Sequence, residues 1–150
     1  MLHAGGKAAL EAKAGEKLPP GKWSHLAGVY DGREIALFVN GSRAASVPAS
    51  GAPASSESPL YIGAMPGQDW VLYDYPYASG FWTGAIDDLR LSRGIRYRQD
   101  FTPEKHPPRD AETVFLLTGD QRFGDFVPVS ADPPFQAAIE GKAQLVYEPR

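Results

Sequence analysis

The densest concentration of side chains able to recognise a ligand is the stretch QDWVLYDYPYASGFW, Gln68 to Trp82. Trp70, Tyr73, Tyr75 and Tyr77 crowd it without strand or helix periodicity, so it reads as a loop. Aromatic faces offer large contact area with few rotors, stack on the apolar C–H faces of sugars, and act as hot spots at protein surfaces. These four residues are the expected ligand-binding set. The alternative is that their rings fold back and plug one end of the fold. Asp69 and Asp74 in the same loop carry carboxylates of the kind calcium takes in its flexible oxygen shell, which makes calcium the one cofactor to look for.

Residue patterns for bond-breaking chemistry are weaker. Asp87 and Asp88 are adjacent, and on a strand neighbouring side chains point to opposite faces, so the pair does not serve one substrate. Arg90 shares the face of Asp88, and an ion pair or turn-anchoring hydrogen bonds account for the group. Glycan hydrolysis needs two carboxyls about 5 to 9 Å apart across a cleft. There is no G-x-S-x-G nucleophile turn and no phosphate-loop pattern, and the three histidines stand in unrelated contexts. Trp23 and His25 fall within a strand and are expected in the core, with no catalytic part. The chain is expected not to be an enzyme.

These side chains need a scaffold, and the punctuation of the chain says which. Sixteen glycines and 14 prolines fall between short apolar runs, the mark of many short strands joined by turns. WSHLAGVY, REIALFVN and the residues after it form a three-strand meander at about 22 to 31, 33 to 40 and 42 to 47. Asp31-Gly32 and Asn40-Gly41 are its two-residue turns. Bulk on both faces of the first strand marks it as an inner one. PASGAPASSES, Pro48 to Ser58, is a small polar loop; PLYIGA and FWTGAIDDLRLS are further strands, the latter with Ile86, Leu89 and Leu91 as core anchors. TVFLL near Thr113 to Leu117 and AQLVY near Ala143 to Tyr147 complete the set. Ala8 to Lys17 has good helix formers but a glycine among them, and is ambiguous.

A chain of 150 residues fits one domain that buries roughly 70% of its unfolded surface. Fifteen basic against 18 acidic residues give a net charge of −3, with no basic cluster able to neutralise several phosphates in a row, so nucleic acid is not an expected partner. Cysteine is absent, which excludes disulfides and thiolate metal sites and leaves the redox compartment open. No apolar run approaches a membrane span, and Met1 to Leu18 lacks the features of a secretory signal.

The pieces LPPGKWSHLAGVYDGREIALFVNGSRAAS, SPLYIGA, FWTGAIDDLRLSRGIRY and DFTP, in that order, resemble the second half of a laminin G-like domain of the concanavalin A-like lectin/glucanase superfamily. The resemblance covers about residues 18 to 103. It implies an all-β, antiparallel two-sheet jelly-roll sandwich, roles in glycan or protein adhesion at the cell surface or outside the cell, and sometimes a rim calcium. Glucanases of the superfamily carry E-x-D-x-x-E on one strand, and that motif does not occur here.

Domains of this family usually have several strands before the Trp-containing one, where this chain has only His3 to Lys17. The jelly roll is thus expected to be incomplete at its N-terminus, with residues 1–150 forming one domain. Residues 113–150 then supply closing strands or an extension. Otherwise the chain is a fragment, or self-association or a neighbouring domain covers the sticky edges. The expected function is a non-catalytic adhesion module recognising a glycan or protein surface. The alternatives are a structural accessory domain without a ligand of its own and, third, the remnant of a glycan-cleaving enzyme.

Overall fold

A computed structural model describes residues 10–53, 62–63, 65–66, 78–79, 82–118, 126–127, 130–131 and 137–138. The described elements are all strands: β1 (Leu26–Tyr30), β2 (Glu34–Val39), β3 (Ser42–Pro48), β4 (Met65–Pro66), β5 (Ala78–Ser79), β6 (Leu89–Ser92), β7 (Thr113–Leu117), β8 (Phe126–Val127), β9 (Ser130–Ala131) and β10 (Ala137–Ala138). Every pairing is antiparallel. Two three-stranded sheets, β1-β2-β3 and β6-β7-β9, carry the fold, beside the small pairs β4-β5 and β10-β8. Strands from the C-terminal third, β7 and β9, thus extend the sheet that β6 begins.

The first sheet is the expected meander, and its second turn follows from its residues. Asn40 and Gly41 have φ of 51° and 85°, the two positive values that a type I′ turn demands. The first turn differs from the expected two-residue form. Only Gly32 has positive φ there, and β1 ends at Tyr30 while β2 starts at Glu34, leaving a three-residue connection. The Asp31 side chain is the reason. Its Oδ1 accepts from the N–H groups of Arg33 and Glu34 at 2.8 and 2.9 Å, an Asx-type turn that competes with the tighter hairpin.

β2 is the inner strand, buried on both faces: Ile35 on one, Ala36 and Phe38 on the other. β1, expected to be inner, pairs only with β2 among the described residues. Trp23 lies before β1 and is 62% exposed, so it is not a core residue. The second sheet is centred on β7, where Thr113, Phe115 and Leu116 are buried.

Residues 82–88 are not strand, which corrects the expected continuous run from Phe81 to Ser92. Asp88 sits at φ 51°, a left-handed conformation incompatible with a ladder, so β6 begins only at Leu89. Ile86 is 48% and Leu91 54% exposed, and neither anchors the core. Ile62 and Gly63 of PLYIGA form a bend, and residues 10–17 contain no helix. Ala143 to Tyr147 lie outside the described residues.

The two sheets meet through the connection from β6 to β7. Tyr97 and Phe101 stack with ring centroids 3.5 Å apart and planes 5° from parallel, and Phe38, 1% exposed, meets both edge-on at 6.3 and 5.7 Å. Arg90 of β6 donates to the Tyr97 hydroxyl at 3.2 Å and to the Pro108 carbonyl at 3.3 Å. The Phe101 N–H donates to the Gly41 carbonyl at 2.9 Å, and the Arg43 N–H to Asp100 Oδ1 at 2.9 Å.

The base of this connection is held by Arg96, whose guanidinium grips both carboxylate oxygens of Asp110. Asp110 also accepts from the Thr113 hydroxyl at 2.9 Å and the Glu112 N–H at 3.0 Å. The Arg96 hydrogen bonds above all, then that of Thr113, hold its carboxyl well below the usual carboxylate range. A carboxylate whose folded-state pKa is depressed contributes stability above its unfolded value of about 3.9, and that contribution fades as pH falls through the folded value. Asp110→Asn is therefore expected to lower the melting temperature at neutral pH and to flatten its decline below about pH 4. Parallel acid-side slopes in variant and parent melting curves would show that this pair does not hold the connection.

Candidate binding cleft

Trp70, Tyr73, Tyr75 and Tyr77, and the carboxylates Asp69 and Asp74, lie outside the described residues. The ends of their loop are described: Met65 stands opposite Ser79 and Pro66 opposite Ala78, so β4 and β5 bring the two ends of that loop together. Trp82, the last aromatic of the same stretch, is 55% exposed. Its backbone N–H donates to the Gly63 carbonyl at 2.8 Å, and its indole lies so close to Gly84 that a Cβ there would meet Nε1 at 2.7 Å. Ile86 packs near Gly63 beside it.

The acidic pair anchors a bend. Asp87 Oδ1 accepts from the Asp88 N–H at 2.9 Å, and Asp88 Oδ2 lies 2.8 Å from His106 Nδ1. With Asp88 left-handed, the alternation argument from strand geometry does not apply to it. The turn-anchoring reading fits this geometry, and Arg90 is directed to Tyr97 and Pro108.

A cleft opens where β1 and β2 meet the 95–98 segment. Its volume is about 120 Å³, and it is lined by Val29, Asp31, Glu34, Ala36, Phe38, Arg43, Ile95, Tyr97 and Arg98. Strand alternation puts Glu34, Ala36 and Phe38 on one face of β2. On β3 the register shifts between Leu37, opposite Ala45, and Phe38, opposite Arg43; the extra residue turns Arg43 onto the same face. There the Arg43 guanidinium pairs with the Glu34 carboxylate. The first turn contributes Asp31. The backbone N–H groups of Arg33 and Glu34, with Arg98 adding a positive field, hold its carboxyl below the ordinary value. The result is an apolar floor of Val29, Ala36, Phe38 and Ile95 beneath a rim of two carboxylates and two guanidinium groups.

This set was not visible as a motif, because it is gathered from four separated segments. The one available signal was Glu34, a charge on the face of β2 that also carries Phe38. Cavities near 150 Å³ hold a single six-membered ring, so the cleft accepts one ring-sized group of a larger ligand and not a whole drug-sized molecule. Among the described residues no group of three or more His, Asp or Glu side chains is placed to hold a metal ion, and no helix is long and apolar enough to cross a membrane.

No curated protein and no solved structure gives a significant match. A family profile does: the laminin G-type profile described as the concanavalin A-like lectin/glucanases superfamily matches residues 1–100. The match takes in the stretch before Leu18 as well as the motifs that follow it. All-strand composition, antiparallel pairing and a meander closed by an Asn-Gly turn agree with the sandwich of that superfamily. Such domains act, at family level, as binding or adhesion modules. The chain belongs to the laminin G-like family of the concanavalin A-like lectin/glucanases superfamily.

Proposed function

We propose that this chain is a non-catalytic module that recognises a glycan or a protein surface, within a secreted or cell-surface protein, and that the cleft between β2 and the 95–98 segment takes part in that recognition. The observation that carries the reading is the cleft's mixed lining. Asp31 and Glu34 offer acceptors, Arg43 and Arg98 offer donors, and a ring-sized apolar floor lies between them.

The same residues argue against glycan cleavage in this cleft. A general acid must keep its proton near neutral pH, which takes a raised pKa. Asp31 is shifted the opposite way, and Glu34 is held by Arg43. The aromatic loop closed by β4 and β5, with Trp82 exposed at its end, is the natural second part of the recognition surface. A calcium ion at Asp69 and Asp74 would belong to that part.

A glycan array combined with hydrolysis assays on labelled polysaccharides tests the proposal. Arg98→Ala and Arg43→Ala are each expected to weaken binding of any glycan captured, by about tenfold for a lost charged hydrogen bond of 1.5 kcal/mol or so. Turnover of a polysaccharide, or binding indifferent to both substitutions, counts against it. The exposed apolar side chains Ile62, Trp82 and Ile86 favour a second reading, an accessory domain packing on a neighbour, in which no glycan binds and these side chains become protected when that neighbour is present.

A further inference from the structure

His25 occupies a position that the binding reading does not use. Its backbone is clamped to the β2–β3 turn: the His25 N–H donates to Asn40 Oδ1 at 2.9 Å and the Asn40 N–H to the His25 carbonyl at 2.8 Å. Its ring stands edge-on to Tyr97 and Phe101, with centroids at 6.3 and 5.5 Å. The imidazole therefore touches the same stack that joins the two sheets and supplies Tyr97 to the cleft wall. Its Nδ1 is buried and has no hydrogen-bond partner among the described residues.

That environment suits the neutral ring only. A protonated imidazole has two N–H donors to satisfy, and at Nδ1 it would find no acceptor among the described residues. From β6 it faces the Arg90 guanidinium, a like charge; from the connecting segment it faces Tyr97, whose hydroxyl is bonded to Arg90, and the apolar Phe101; from the turn it faces the uncharged Asn40. We infer that His25 makes the docking of the Tyr97–Phe101 stack, and with it the cleft wall, sensitive to mild acid: protonation of the ring loosens the 95–101 segment from the β1–β3 sheet while the β6–β7 pairing stays closed.

Burial first, and then Arg90, lower the pKa of His25 from its ordinary value of 6.5. A base with a depressed pKa in the docked state contributes stability that is complete above the undocked value and is lost as pH falls from about 6.5 toward the docked one. Each unit of difference between the two states raises the population of the undocked form by about tenfold. Regulation of binding by acidity follows, since the wall that moves is the one carrying Tyr97.

Amide hydrogen exchange on the unliganded chain tests this without a ligand, so its outcome is separate from that of the binding assays. Protection factors, referred to the unstructured rate at each pH, are followed from pH 7.5 to 5. The amides of Phe101 and Arg43, which donate across the junction to Gly41 and Asp100, are expected to lose protection over this range while those of β7 keep theirs, and the loss is expected to vanish in His25→Phe and His25→Gln. His106→Gln, which alters the exposed histidine paired with Asp88, is expected to leave the profile unchanged. Should both His25 variants fail to fold, the His25 imidazole resonance of the parent chain decides, by titrating below 6.5 in step with the Phe101 amide. A flat parent profile, uniform loss including β7, the same slope in the His25 variants, or an imidazole titrating at or above 6.5 each overturns the inference.

Discussion

Gly41→Ala is expected to be among the most damaging single substitutions in the chain, removing well over 2 kcal/mol of stability. Two separate costs combine. Gly41 holds φ 85° in the type I′ turn, and a non-glycine residue in such a conformation costs on the order of 1–3 kcal/mol. In addition, a Cβ there would lie 1.9 Å from the Phe101 carbonyl oxygen and 2.9 Å from Pro103 Cδ. These are backbone and ring atoms with no freedom to swing aside. Relief would require the 101–103 segment to lift off the turn, breaking the hydrogen bond from the Phe101 N–H to the Gly41 carbonyl. Gly32→Ala separates the terms, because Gly32 has φ 87° with nothing within 4 Å of its added Cβ. It pays for conformation alone. At about 2–4 °C per kcal/mol in a chain of this size, calorimetry is expected to show Gly41→Ala melting clearly below Gly32→Ala. Equal shifts would mean that the 101–103 segment does not rest on the turn.

That contact also shows which parts of the fold are legible in sequence. Asn40-Gly41 reads as a type I′ turn because few other dipeptides tolerate two positive φ values, and the alternation of Ile35, Leu37 and Val39 against Ala36 and Phe38 marks β2 as strand. Both signals are local. Asp31-Gly32 looks like the same turn and is not, since whether an aspartate caps its own backbone or turns with it is decided by side-chain hydrogen bonds. Asp88 misleads for a similar reason: its left-handed backbone breaks an apparent strand, and Ile86 ends up exposed. The cleft was the hardest to see. Arg43 reaches it only through a register shift opposite Leu37 and Phe38, and Arg98 only because the β6–β7 connection folds back over β2. Neither spacing has a sequence period.

Phe38→Ala is expected to cost about 3–5 kcal/mol, the usual range for removing a fully buried phenylalanine, or roughly 6–20 °C in melting temperature. Phe38 is among the most buried side chains described, and it presents its edge to both Tyr97 and Phe101. Removing it takes away the floor of the cleft and the ring on which the β6–β7 connection rests, so the loss exceeds the transfer energy of one benzyl group by the cavity left behind. Phe38→Leu, which keeps most of the volume, is expected to recover more than half of the difference. Leu91→Ala, at an exposed position of β6, is expected to stay within about 0.5 kcal/mol. A double-mutant cycle between Phe38→Ala and Tyr97→Ala reads the aromatic contact itself, with an expected coupling of about 0.5–1.5 kcal/mol. Urea denaturation supplies all of these numbers. A loss below about 1 kcal/mol for Phe38→Ala, or strictly additive single substitutions, would mean that the sheets are joined elsewhere and that the Tyr97–Phe101 stack merely lies against the β2 face.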